Sequence, residues 1–168
     1  MGSISNLRLG QCDITYNNVP IGHTKGGVEI TIKNDVTEVT VDKYGSTPVR
    51  AFHKGTRIEI KTTLSEYEFT QMEQVINAAT KSGSILKIGK IAGTELDGAE
   101  LLLHPSNAGD TSTDVTVFKA IIIGDTKIPF QVDQETVYDV TWLALVSLDD
   151  ADEDGNGFLI QFGVPSEE

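Results

Sequence analysis

The stretch that decides the fold is "GVEITIKNDVTEVTVDKYGSTPVRAFHKGTRIEIKT", residues 27–62. Its two ends alternate cleanly between apolar and polar positions. Val28, Ile30 and Ile32 share one face of the first, with Glu29, Thr31 and Lys33 on the other. Ile58 and Ile60 oppose Arg57, Glu59 and Lys61 in the second. A period of two is the mark of a half-buried β-strand, so these are two strands with one wet face. Between them lie residues 34–55, far more than the ~2–5 residues of an ordinary hairpin loop. This arm holds strand-like pieces, "EVTVD" and "TPVRAF", split by the turn "KYGS". It is expected to project and to contact another molecule, because long ordered loops carry function more often than they fill space.

The rest of the chain repeats the β pattern. "QCDITY" and "VPIGHT" flank "NN", "ELLLHP" and "DVTVFKAIII" follow later, and "DVTWLALVSL" and "FLIQFGV" close the series. Short strands separated by Gly, Asn, Asp and Pro point to a mainly β fold, a sandwich or barrel, in one domain over 1–168 with a polar tail at 164–168. One helix is expected over 65–80, where Ser65 and Glu68 have the spacing of a capping box. Phe69, Met72, Val75, Ile76 and Ala79 would form its apolar stripe. "DVTWLALVSL" is apolar on both faces, with Val140, Trp142, Ala144 and Val146 opposite Leu143 and Leu145, so its second face calls for a cover: the helix or another subunit.

Charge and composition restrict function. The chain carries 13 basic and 25 acidic residues, a net −12, and has no Lys/Arg cluster with which to grip phosphates. The single cysteine, Cys12, allows neither an intramolecular disulfide nor a cysteine metal site. "MGSISNLRLG" lacks the basic-then-apolar order of a signal peptide, and no apolar run reaches the length of a membrane span, so a reducing cytoplasm is the expected place of synthesis. His23, His53 and His104 are scattered. No nucleophile elbow, phosphate loop or dinucleotide fingerprint occurs, and "HTKGGV" reads as a bend entering a strand. Neither an enzymatic activity nor a cofactor is expected.

Residues 147–160, "SLDDADEDGNGFLI", open like a hand-type calcium loop, with Asp150, Asp152 and Asp154 at the first, third and fifth positions and Gly155 at the sixth. The twelfth position is Gln161, which has no bidentate carboxylate, and the flanks read as strands. A solvated acidic hairpin turn is the better reading, with a calcium-binding extracellular β-sandwich or adhesive module as the alternative.

From Val19 to Tyr67 the ordered set "G-H-T-K-G-G-V", "V-D-K-Y-G-S-T-P-V", "G-T-R-I-E-I-K" and the segment from Ser65 resembles the tail tube (major tail) proteins of long-tailed bacteriophages. That resemblance covers about the first half of the chain. It implies a structural virion protein whose hexameric rings stack into a tube for DNA ejection, assembled in the bacterial host cytoplasm and resident in the virion tail. Implied partners are further copies of itself and the tape measure, tail tip and terminator proteins, with DNA passing unbound and no membrane contact. The same ring-forming fold serves contractile injection devices and type VI secretion. On this reading the arm becomes the inter-ring contact, through Asp35, Val36, Glu38, Val41, Asp42, Tyr44, Pro48, Val49 and Phe52. Glu29, Thr31, Lys33, Arg57, Glu59 and Lys61 become candidates for the channel wall, and their charges sum to +1.

Overall fold

The computed structural model describes residues 11–106, 111–133, 135–149, 151–153, 155 and 157–163. The fold is mainly β: strands hold 54% of the described residues, against one seven-residue helix among them. The main sheet is antiparallel and eight-stranded. Its strands are β1 (Cys12–Tyr16), β2 (Val19–Ile21), β3 (Thr24–Thr40), β4 (Pro48–Leu64), β7 (Ala99–Pro105), β8 (Val115–Ile123), β9 (Tyr138–Ala144) and β10 (Ile160–Phe162). They run in the order β2-β1-β7-β8-β9-β4-β3. Strands β5 (Ala79–Ser82) and β6 (Ile85–Ile88) form a separate two-stranded sheet, and α1 (Phe69–Val75) precedes it.

Local chemistry accounts for several of these elements. Asn17 and Asn18, with φ of 52° and 60°, make the two-residue β1–β2 turn, a left-handed geometry that asparagine tolerates. β8 is paired along one edge with β7, while its other edge is shared end to end by β10, at Val115–Val117, and β9, at Ala120–Ile123. The expected hairpin between the last two strands is therefore corrected. Among the described residues the segments joining them pair at one isolated bridge, Ser147–Phe158, outside both strands, and β10 takes up the part of β8 that β9 leaves open.

One face of the main sheet makes the core. Ile58, Ile60 and Leu64 of β4, Val140 and Trp142 of β9, Ile122 and Val117 of β8, and Leu101 and Leu103 of β7 are all buried on it. Tyr16 of β1 and Trp142 of β9 bring their rings to 6.1 Å. Three strand spacings separate them in the sheet order, about 14 Å if the sheet were flat. The sheet thus curls, far enough that Cα atoms of β1 and β3 come within 8 Å without forming a ladder. It is one curled, incompletely closed sheet, and Met72 and Val75 of α1 complete its core.

The helix departs from the sequence expectation. It spans Phe69–Val75 instead of 65–80, and no capping box forms. The Ser65 hydroxyl donates to the His23 carbonyl at 3.2 Å, tying the chain to the start of β3 as it leaves β4. After Val75, Asn77 Nδ2 donates to the Ile122 carbonyl, and Ala78 adopts φ 63°. Asn side chains compete for backbone groups in this way and so end helices. Ala79, expected in the stripe, instead opens β5.

β3 and β4 are each 17 residues long, about 56 Å at ~3.3 Å per residue. A globule of this length is only ~40 Å across. The pair must outgrow the core, and every residue from Ile32 to Lys54 is exposed. The arm is thus the outer half of one hairpin and not a loop between two strands. Trp142→Ala is expected to cost ~3–5 kcal/mol of unfolding free energy in a denaturant titration, and Phe52→Ser, on the arm, less than ~0.5 kcal/mol.

Candidate assembly interface

The arm is built by pairing register. Asp35 faces Gly55, then Lys54 is left over as a bulge, and the ladder resumes at Val36–His53, Thr37–Phe52, Glu38–Ala51 and Val39–Arg50. Lys54 Nζ lies 3.5 Å from Asp35 Oδ2 beside the bulge, and the Thr56 hydroxyl donates to Asn34 Oδ1 at 2.9 Å. Bulges of this kind bend and twist a strand pair, which re-aims everything beyond them. A second irregularity falls between Val39–Arg50 and Thr40–Pro48, leaving Val49 over. The tip closes through a single 3₁₀ turn at Asp42–Tyr44, where Gly45, φ 62°, supplies the left-handed residue.

All nine residues assigned to the inter-ring contact (Asp35, Val36, Glu38, Val41, Asp42, Tyr44, Pro48, Val49 and Phe52) lie exposed on this one projection. Tyr44 is 57% and Phe52 54% accessible. Two were missed. Val39 is exposed near the second irregularity, and Ile32 is 48% exposed although its alternation places it on the core face. Ile32 belongs to the arm because β9 pairs with β4 only from Glu59 onward, so the core ends at its cross-strand partner Ile58, which is buried while Ile32 is not. By alternation from Ile32, Val36 shares the core-side face, while Phe52, opposite Thr37, points to the other. Apolar groups thus emerge on both faces. Large apolar side chains at water on both sides of an unpaired strand ladder are the signature of a surface meant to be covered.

The six channel-wall candidates are brought together on the outer face of the same two strands, as the pairs Glu29–Lys61, Thr31–Glu59 and Lys33–Arg57. Glu59 is the centre of this face: its side chain is only 13% exposed, with Arg57 Nε at 2.7 Å from one oxygen and Lys61 Nζ at 3.7 Å from the other. The hydrogen bond from Arg57, aided by the charges of Lys33 and Lys61, holds the Glu59 carboxyl below its usual range. The face continues across β9 and β8 through Leu143 and Ile121 and through Thr141 and Ile123. Sequence reasoning left the cover of Leu143 open between helix and subunit. α1 packs on the opposite, Trp142 side, so Leu143 looks outward beside Glu59.

The other candidates come to less. Asp150 and Asp154 lie outside the described residues. Gln161, at the twelfth loop position, sits in β10 with its amide donating to the Gly163 carbonyl at 2.8 Å. Among the described residues no group of three or more His, Cys, Asp or Glu side chains could hold a metal ion. His104 Nδ1 and the buried Asp114 Oδ1 are 2.6 Å apart, close to Cys12. Burial, with the charges of Asp13 and Asp114, pushes the Cys12 thiol up to about 11, the reverse of what a thiolate nucleophile requires. Among the described residues no helix is long and apolar enough to cross a membrane.

No protein-family model and no curated protein matches the chain. Because the Glu59 pKa is depressed in the folded chain, its favourable contribution exists above the usual carboxylate range of ~4.3 and is lost as pH falls through the folded value. Arg57→Gln is expected to move the Glu59 carboxyl titration upward in a carboxyl-resolved NMR experiment. An unmoved titration would show that Arg57 does not set it.

Proposed function

We propose that this chain is a structural subunit of a phage tail tube, assembling as stacked, hexameric rings around a conduit for DNA, resident in the virion tail. The observation that carries the reading is the hairpin arm, exposed from Ile32 to Lys54 and apolar on both faces, longer than its own domain can cover. A projection of that kind has its partner outside the chain. In the proposed assembly the arm reaches the adjacent ring, and the outer face of β3, β4, β9 and β8 turns toward the channel. The edge of β3, unpaired among the described residues, meets the neighbouring subunit, since closing strands around a ring removes exposed edges.

The channel role is consistent with the electrostatics of this face. A conduit must not hold its cargo, because each phosphate–cation contact acts as a brake. Three cations stand on the candidate wall, and Glu59 engages two of them, Arg57 and Lys61, through its two oxygens. That leaves a near-neutral, self-paired surface rather than a basic one, on a chain that is −12 overall. The tape measure, tail tip and terminator proteins are its proposed partners at the ends of the tube.

Negative-stain electron microscopy of the purified chain is expected to show rings or tubes of even width. Deletion of residues 36–50 leaves Ala51–Lys54 to connect Asp35 to Gly55 across the surviving ladder. The shortened chain is expected to retain rings and lose stacking. Unaltered tube growth would show that the arm does not join rings, and a strict monomer at high concentration of the intact chain would overturn the reading itself.

A further inference from the structure

Away from the arm, two of the places where exposed apolar side chains gather carry opposite charge. The first is the β5–β6 hairpin and its exit, with Ile85, Ile88 and Ile91 exposed, the last at 87%. Residues 79–91, "ATKSGSILKIGKI", carry three lysines and no acid in a chain that is strongly acidic elsewhere. The second surrounds the bridge Ser147–Phe158, with Val146, Leu148 and Phe158 exposed. Residues 146–158, "VSLDDADEDGNGF", carry five acids and no base.

The two places are anchored to different parts of the fold. The hairpin is held on α1: Lys81 Nζ donates to the Thr70 hydroxyl at 2.6 Å, and the Lys81 amide donates to Glu73 Oε1 at 2.7 Å. Leu86 turns inward against the core, which leaves Ile85 and Lys87 on the outer face. The acidic turn rides on the end of β9, where the Leu145 amide donates to the Lys119 carbonyl at 2.7 Å. Lys87 and Lys90 make no ion pair or hydrogen bond among the described residues, so their charge is unspent within the chain.

We propose that the basic, apolar outer face of the β5–β6 hairpin seats against the acidic, apolar turn closed by Ser147–Phe158 in a second copy of the chain. Lys87 and Lys90 face Asp149 and Glu153, and Ile85 covers Leu148. Complementary potentials select the partner and fix its register, while apolar burial supplies the driving force. Each copy offers two different patches, so the contact is heterologous, and a heterologous contact closes into a ring when its rotation allows. The proposal rests on the reading of the chain as a ring-forming subunit and names the lateral contact that the arm does not provide.

Charge exchange tests it. One variant carries Lys87→Glu with Lys90→Glu, the other Asp149→Lys with Glu153→Lys. In sedimentation velocity at low salt, each alone is expected to associate about tenfold more weakly than the native chain, since the first sets like charges against each other and the second removes most of the attraction. An equal mixture is expected to recover association above that of either variant alone, because alternating the two restores opposite charges at the exchanged positions of every contact of an even-membered ring. The inference is overturned if either variant associates like the native chain, if the mixture fails to recover, or if the native chain stays monomeric. It is equally overturned if Lys87→Glu with Lys90→Glu abolishes binding to anionic vesicles or duplex DNA while self-association is unchanged, which would assign the hairpin another occupant. Stacked tubes with silent charge exchange would remove this contact and keep the tube reading. Charge-dependent association without rings or tubes would do the reverse.

Discussion

The constraint on which this structure depends is the register between β3 and β4. It sets Ile58 and Ile60 into the core against Trp142, and that burial extends over only about half of the ladder's length. Apolar burial rewards the inner half at roughly 25 cal/mol per Å² removed from water. The outer half has no core to meet, yet its backbone pairing continues to Thr40–Pro48. A hairpin that keeps its hydrogen bonds and loses its burial is a rigid projection with an unpaid apolar surface. Everything proposed about assembly begins there.

The same register fixes the opposite face. Since Ile58 and Ile60 point inward, Arg57, Glu59 and Lys61 must point outward, and cross-strand pairing brings Glu29, Thr31 and Lys33 beside them. Glu59 then holds a position between two cations that no reading of charge totals would suggest. The net +1 of the six residues conceals a paired arrangement in which the acid is nearly covered and its neighbours are half exposed.

Solubility and assembly make opposite demands on such a molecule. A net charge of −12 keeps copies apart through mutual repulsion, while in the proposed assembly the exposed edge of β3 and the apolar arm draw them together. In the proposed lateral contact, concentrating acids in one turn and lysines in one hairpin reconciles the two: repulsion acts in random encounters, attraction in one orientation. Specificity of this kind comes from where charges sit, not from how many there are.

The sequence by itself determined what local chemistry controls. Strict alternation identified the β character and the inward faces of β3 and β4, Asn17-Asn18 identified a tight turn, and the length of residues 34–55 identified a projection. It went wrong where distant contacts decide. Ser65 and Glu68 have the spacing of a helix cap, but Ser65 is taken by His23, just before β3 and over 40 positions away. Ala79 continues a helical stripe on paper, yet Asn77 is bound to Ile122 of β8 and the helix stops. The last two strands look like hairpin partners, but β8 had an open edge to offer β10. Periodicity reports which side of an element is apolar; only the packed sheet decides what that side meets, how far the core extends along β3, and which apolar residues are left for another molecule.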